Sequence, residues 1–210
     1  MNIVKEMLKS TRLYREYAEY REIKVYWKWV KRGQPAPPPH GVKQGIVREV
    51  ASRYQCCSFY ESGTYLGEMV EAVKDLFTTI YTVELDNALY KQACKRFKKD
   101  KHVQIVEGDS GKVLPEIIEN KEEPILFWLD GHYSAGMTAQ GDEYSPIMKE
   151  ILPILNHPVK EHVILIDDAR EFVGKDGYPD LENFEKSVRD LRPDLSFSVK
   201  HDVITIARPI

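Results

Sequence analysis

Five short apolar, strand-like runs in this chain each lead into acids, and acids gathered at one place can hold hydroxyl groups and positively charged ligands. Phe59-Tyr60 runs into Glu61, and Ile80 to Leu85 carries Glu84 and is followed by Asp86. Val103 to Val106 leads to Glu107-Gly108-Asp109-Ser110. Ile125 to Leu129 leads to Asp130-Gly131-His132-Tyr133, and Val163 to Ile166 to Asp167-Asp168. A single acid after a strand is ordinarily a helix cap or a solvated turn. Five in succession at the ends of consecutive strands point to a shared ligand.

Glu61 is followed by a glycine turn, Ser62-Gly63-Thr64-Tyr65-Leu66-Gly67. Leu66, Met69, Val70, Val73, Leu76 and Phe77 then recur at helical spacing, which predicts a helix to about Phe77. The free N–H groups at its start would face the turn. Neither Gly-x-Gly-x-x-Gly nor Gly-Lys-Ser/Thr is present, so this is no phosphate loop. Glu84 stands about 20 residues past the glycine turn, where a carboxylate takes the two hydroxyls of a ribose. Glu61 would repel a pyrophosphate but attract an ammonium. A ligand with adenine, ribose, ammonium and sulfonium, S-adenosylmethionine, satisfies both.

The elements that must carry these residues follow from the pattern. Residues 1–32 read as a helix with an irregular apolar stripe that includes Tyr14, Tyr17, Tyr20 and Trp27. Gly33 to Gly41, with Pro35, Pro37, Pro38 and Pro39, is an extended connector. The domain reading is therefore a helical extension and connector over 1–40 and a cofactor-binding domain over 41–210. Within it, helices are predicted over 45–54, 87–98, 113–118 and 181–191, with another opening at Ser145-Pro146 and running toward Leu155. Strand and helix alternate, and strands 197–199 and 203–207 close the chain with no helix between them. The fold expected is a doubly wound α/β, Rossmann-like, mostly parallel seven-stranded sheet with an antiparallel C-terminal strand pair and an N-terminal helical extension. In such sheets ligands bind at the carboxyl ends of the strands.

Composition narrows the classes. The 210 residues are 42% hydrophobic and 30% charged, which suits a globular domain with a substantial core. A formal charge of −3 makes no case for a nucleic-acid binder. The first 32 residues are basic, nine Lys or Arg against four Glu, and leave the rest acidic. That helix could grip phosphates, but glutamates interleave its basic residues, and packing on the domain or on a second copy as a homodimer contact is the plainer expectation. Three cysteines, Cys56, Cys57 and Cys94, fit neither a disulfide framework nor a zinc pattern. No run reaches membrane-spanning length and no signal-peptide core stands at the N-terminus, so a cytoplasmic protein is expected.

Glu61-Ser62-Gly63-Thr64-Tyr65-Leu66-Gly67 resembles the Glu/Asp-x-Gly-x-x-x-Gly motif of class I S-adenosylmethionine-dependent methyltransferases, and Val83-Glu84-Leu85-Asp86 is similar to their second motif. Within that superfamily the chain looks most like the metal-dependent small-molecule O-methyltransferases of the catechol and macrolide-sugar types. The resemblance spans Gly41 to Ile210, with Lys43-Gln44-Gly45 similar to the segment before their first core helix. It implies cofactor contacts from Glu61, Ser62, Gly63, Thr64, Tyr65, Gly67, Glu84, Leu85, Asp109, Ser110 and Asp130, with Ser110 against the adenine. It also implies a Mg²⁺ ion held by Asp130, Asp167 and Asp168, and a small-molecule hydroxyl, sugar or phenol, as acceptor. Two residues depart from the catechol pattern. Asp168 stands where those enzymes have Asn, a change a hard ion tolerates. Their lysine base after the first metal aspartate is absent, and His132 and Tyr133 stand there instead. His132, with an ordinary pKa of about 6.5, is the candidate base beside catalytic Asp130, or else an adenine-edge contact or a plain loop histidine. Residues 134–144 have the composition of a lid over the acceptor.

Three rival readings stay open. A nicotinamide-dependent oxidoreductase would also use Glu84. An RNA methyltransferase could use the basic N-terminal helix. A methyltransferase-like module could bind a partner without catalysis, though a scaffold has no need of the strand-end acids.

Overall fold

The computed structural model describes residues 12–130, 147–175 and 177–210. Helix α1 spans Arg12–Lys31 and α2 His40–Tyr54. Strand β1 (Ser58–Ser62) leads through the glycine turn to α3 (Glu68–Val73), followed by a tight helical turn over Lys74–Leu76. Then come β2 (Thr79–Glu84), α4 (Asn87–Arg96), β3 (Val103–Glu107), α5 (Ser110–Ile118) and β4 (Ile125–Leu129). After these come α6 (Ile147–Asn156), β5 (Val163–Ile166), a second tight turn (Ala169–Glu171), α7 (Leu181–Leu191), β6 (Ser196–Lys200) and β7 (Val203–Ala207).

The seven strands form one sheet in the order β3-β2-β1-β4-β5-β7-β6. Pairing is parallel from β3 through β5, whereas β7 runs antiparallel to both β5 and β6. This is the expected doubly wound sheet with its closing hairpin. The strand order reverses between β1 and β4, so the crevice belongs beyond the carboxyl ends of those two strands.

Period-two alternation sends side chains to two cores. Tyr60, Ile125, Phe127, Leu129, Ile164 and Ile166 face α5, α6 and α7. Phe59, Leu126, Trp128, Val163 and Leu165 face α2 and α3. β1, β4 and β5 are buried along their whole length, as central parallel strands must be.

Three element limits differ from the sequence expectation by three residues or more. α2 begins at His40, not Gly45, because the proline run ends at Pro39 and the extended Pro39 serves as the helix cap residue. α5 begins at Ser110, not Val113, because Asp109 accepts the Gly111 N–H and caps it. The helix after the glycine turn stops at Val73 and tightens over the next turn, which leaves Leu76 exposed. The opening Ser145-Pro146 and the lid segment lie outside the described residues.

A pair of hydrogen-bonded histidines ties β4 to β5 at their amino ends. The Ile125 N–H donates to His162 Nδ1 (3.1 Å), so His162 Nε2 carries the proton and donates to His157 Nδ1 (2.8 Å). His157 Nε2 then donates to the Ile118 carbonyl (2.9 Å). Burial, the neighbouring His157 and nearby cations pull the His162 pKa down to about 3. The unfolded chain takes up this proton near pH 6.5 and the folded one does not, so the pair's contribution is intact above 6.5 and is lost as pH falls toward 3. Denaturant unfolding at stepped pH should show this fall, and His162→Gln should flatten it.

Candidate active site

Gly63 turns the chain away from β1 with φ +81°, a conformation that favours glycine. The N–H groups of Gly63 and Thr64 both donate to the Val83 carbonyl (3.0 and 3.1 Å), which fastens the turn to β2. Glu84, 4% exposed at the end of β2, accepts the Tyr65 N–H at Oε2 (2.7 Å) and the Asp86 N–H at Oε1 (2.9 Å). Its carboxylate is therefore fixed in orientation before any ligand arrives. Gly67 closes the turn with φ +71°, and a Cβ there would lie 2.7 Å from the Phe97 ring. Arg96 Nη1 holds the same corner by donating to the Leu66 carbonyl (2.5 Å). Gly67→Ala is expected to destabilise by roughly 2–4 kcal/mol, from the left-handed backbone plus the ring clash. Chemical denaturation checks the value.

Glu61 is 2% exposed at the end of β1. Thr82 Oγ1 donates to its Oε2 at 2.6 Å and meets Thr64 Oγ1 at 2.6 Å. Burial, with Asp130 and Glu84 nearby, pushes the Glu61 pKa up to about 8 against the Thr82 hydrogen bond. A carboxyl held there wants a cation. Glu61, Gly63, Thr64, Tyr65 and Asp130 line a cavity of about 350 Å³ at the switch point, together with Pro37, Pro38 and His40. Glu61 lines this cavity and Glu84 does not; Glu84 is held at the Tyr65 N–H of the same glycine turn, near enough to Glu61 to help raise its pKa.

Ser62 Oγ accepts the Asp130 N–H (3.2 Å) and so ties the end of β4 to that of β1. Leu85 is half-buried on the same rim, and Ser110 is buried at the start of α5. Asp109 spends one oxygen on its helix cap, as Asp86 does with the Ala88 and Leu89 N–H groups.

Asp130, Asp167 and Asp168 come together, with ligand oxygens within 4.8 Å of one another. Three converging carboxylates are the hard-oxygen set that suits Mg²⁺ or Mn²⁺, so the residues fit a divalent ion. Burial and the flanking Asp130 and Asp168 push the Asp167 pKa up to about 7. Two cations address the cluster. Lys43 Nζ contacts Asp167 and lies 3.2 Å from Asp168 Oδ1. Arg170 Nη1 donates to that same Asp168 oxygen (2.7 Å) and contacts Asp202. Burial works against the Lys43 ammonium, yet attraction to Asp167 and Asp168 outweighs it and raises its pKa. Asp168 adopts left-handed backbone (φ +56°), which turns it toward these partners.

The sequence reading passed over Lys43, Arg170 and Glu150 as site residues. Lys43 had a signal: it stands in the first turn of a helix that has no acid there, where the helix dipole disfavours a cation. Glu150 also had one, since it shares the apolar face of Ile147, Ile151 and Ile154 and is 1% exposed. It lies against the hydroxyls of Ser110 and Ser62, and burial pushes its pKa up to about 7 despite them. His132 and Tyr133 lie outside the described residues.

No protein-family model matches the chain, and no curated protein matches it in sequence. Solved structures do match in shape. The O-methyltransferase TomG of Streptomyces achromogenes, involved in tomaymycin synthesis and in complex with S-adenosylmethionine, superposes with a TM-score of 0.56 at 15% identity, covering 88% of this chain and 87% of its own. The Podospora anserina methyltransferase PaMTH1, bound to S-adenosylhomocysteine, gives 0.59 at 16% identity over 93% and 96% of the two chains. The 23S rRNA methyltransferase ErmE gives 0.50 at 14% identity over 79% and 68%. The chain has the fold of the S-adenosylmethionine-dependent methyltransferases.

Proposed function

We propose that this protein transfers the methyl group of S-adenosylmethionine to a hydroxyl group of a small molecule. The observation that carries the reading is the pair Glu61 and Glu84, both buried at neighbouring strand ends: Glu61 lines the cavity together with Gly63, Thr64 and Tyr65, and Glu84 accepts the Tyr65 N–H of that turn. Glu84 accepts the two ribose hydroxyls with its remaining lone pairs. Glu61 receives the ammonium, and Ser110 sits against the adenine at the start of α5. An acceptor in the cavity beside Asp130 then lies in line with the sulfonium methyl, and positioning supplies most of the rate. The new bond joins methyl carbon to oxygen, the carbon–sulfur bond breaks toward sulfur, and the hydroxyl proton leaves to a base, for which His132 is the candidate. A divalent ion held by Asp130, Asp167 and Asp168 would supply positive charge that lowers the acceptor's pKa and orients it.

Isothermal titration with S-adenosylhomocysteine and with NAD⁺ tests the donor. Micromolar binding of the first and none of the second is expected, and the reverse would make the protein a nicotinamide enzyme. For the acceptor, one observation favours RNA as a second reading. The basic helix α1 leaves Tyr20, Tyr26 and Trp27 exposed, a surface on which bases could stack. RNA binding that weakens steeply with salt would support it, and binding absent at 50 mM salt would remove it. α1 itself meets the domain through Trp29, packed edge-on against His201 and bonded to the Pro35 carbonyl. Its exposed face leaves a homodimer contact as a proposal that sedimentation can check. Among the described residues no helix is long and apolar enough to cross a membrane.

A further inference from the structure

Lys43 projects from the first turn of α2 into the acid cluster and bonds carboxylates 124 and 125 residues further along the chain. It is 15% exposed, and Asp167 and Asp168 are 1% and 5% exposed. These are two of the three carboxylates whose oxygens converge. A hard divalent ion needs several oxygens at about 2.0–2.6 Å. An ammonium bonded to two of the same carboxylates competes for that volume, and its charge repels a second cation.

We infer that Lys43 is a built-in counter-cation: its ammonium and a divalent ion exclude each other from the Asp130–Asp167–Asp168 cluster. The inference deepens the proposed function and rests on its ion site. In the ion-free protein Lys43 ties α2 to the end of β5. Ion binding breaks that tie. Pro37, Pro38 and His40, immediately before Lys43, line the same cavity, so the state of the lysine sets how firmly that wall is held. Arg170 does not share this role, because its guanidinium also contacts Asp202 at the β6–β7 turn and stays anchored from outside the cluster.

The experiment compares the full chain with Lys43→Met, Lys43→Gln and Lys43→Arg. Mn²⁺ is titrated into each, with bound metal read by calorimetry and free Mn²⁺ by electron paramagnetic resonance. Thermal unfolding is recorded in EDTA and in Mn²⁺. Lys43→Met and Lys43→Gln are expected to bind Mn²⁺ at least about tenfold more tightly than the wild type, since a positive charge has gone from the site. Lys43→Arg should bind no more tightly than the wild type. In EDTA the two uncharged variants should melt below the wild type, and Mn²⁺ should restore them by a larger shift than it gives the wild type. Equal Mn²⁺ affinity in the wild type and both uncharged variants overturns the inference, as does Lys43→Arg binding as tightly as Lys43→Met. A parallel titration of S-adenosylhomocysteine in EDTA reads the donor site alone. Its failure would sink the methyl-transfer reading while leaving the Mn²⁺ comparison to stand.

Discussion

Glu84→Ala is expected to weaken S-adenosylhomocysteine binding a hundredfold or more. Each hydrogen bond from a ribose hydroxyl to a buried carboxylate is worth about 1.5–3 kcal/mol, and Glu84 offers two such acceptors. The substitution also removes the acceptor for the Tyr65 N–H, so the glycine turn loses its attachment to β2 on that side. Binding energy and preorganisation fall together. Glu84→Gln retains one acceptor and should fall between. Asp86→Ala is the control, because Asp86 Oδ1 accepts the Ala88 and Leu89 N–H groups as a helix cap, and its loss should lower stability by about 1 kcal/mol without a matching loss of affinity. Calorimetric titration and denaturant melts on the same preparations separate the two effects. A Glu84→Ala protein that binds within threefold of wild type would remove the ribose from this carboxylate.

The second large effect concerns protons. With its pKa near 8, Glu61 is mostly protonated in the free protein at pH 7. The arriving ammonium favours the ionised form, so binding should release close to one proton at pH 7. Affinity should then rise with pH between about 6 and 8 and level off above, the direction set by a carboxyl whose pKa falls on binding. The same raised pKa means that the free protein loses stability as pH rises from the ordinary glutamate range toward 8, and ligand returns it. Titrating S-adenosylhomocysteine at pH 7 in phosphate and in Tris, whose ionisation heats differ, measures the released proton. Glu61→Gln should abolish the release, flatten the pH dependence and weaken binding by about tenfold to a hundredfold, since a charge-assisted contact becomes a neutral one. Equal heats in the two buffers for wild-type protein would show that Glu61 does not meet the cation.

Much of this site could be read from the chain because central parallel strands announce themselves. Ile125 to Leu129 and Val163 to Ile166 are apolar without interruption, and whatever polar residue follows such a run stands at the sheet's rim. Glu61, Glu84, Asp130, Asp167 and Asp168 all stand at strand ends of this kind. Contacts made at long separation carry no local pattern. Lys43 lies 124 residues from Asp167, and no periodicity links them. The misplaced starts of α2 and α5 have a different origin. Gly41 in α2 and Gly111 in α5 fall within the first turns that the sequence reading left outside these helices. In the first case a proline run and in the second an aspartate cap outweighed the modest helix penalty of glycine.

Tyr65 and Asp168 share a property that sets the terms on which this sequence can vary. Each holds left-handed backbone (φ +48° and +56°) while lining the cavity, and each is a residue type that a different backbone would suit better. Glycine at either position would relax the chain while deleting a side chain from the cavity. Selection for heat tolerance alone would therefore drift toward glycine at Tyr65, whereas at Asp168 the same change would also remove the ion pairs with Lys43 and Arg170 that fasten the site.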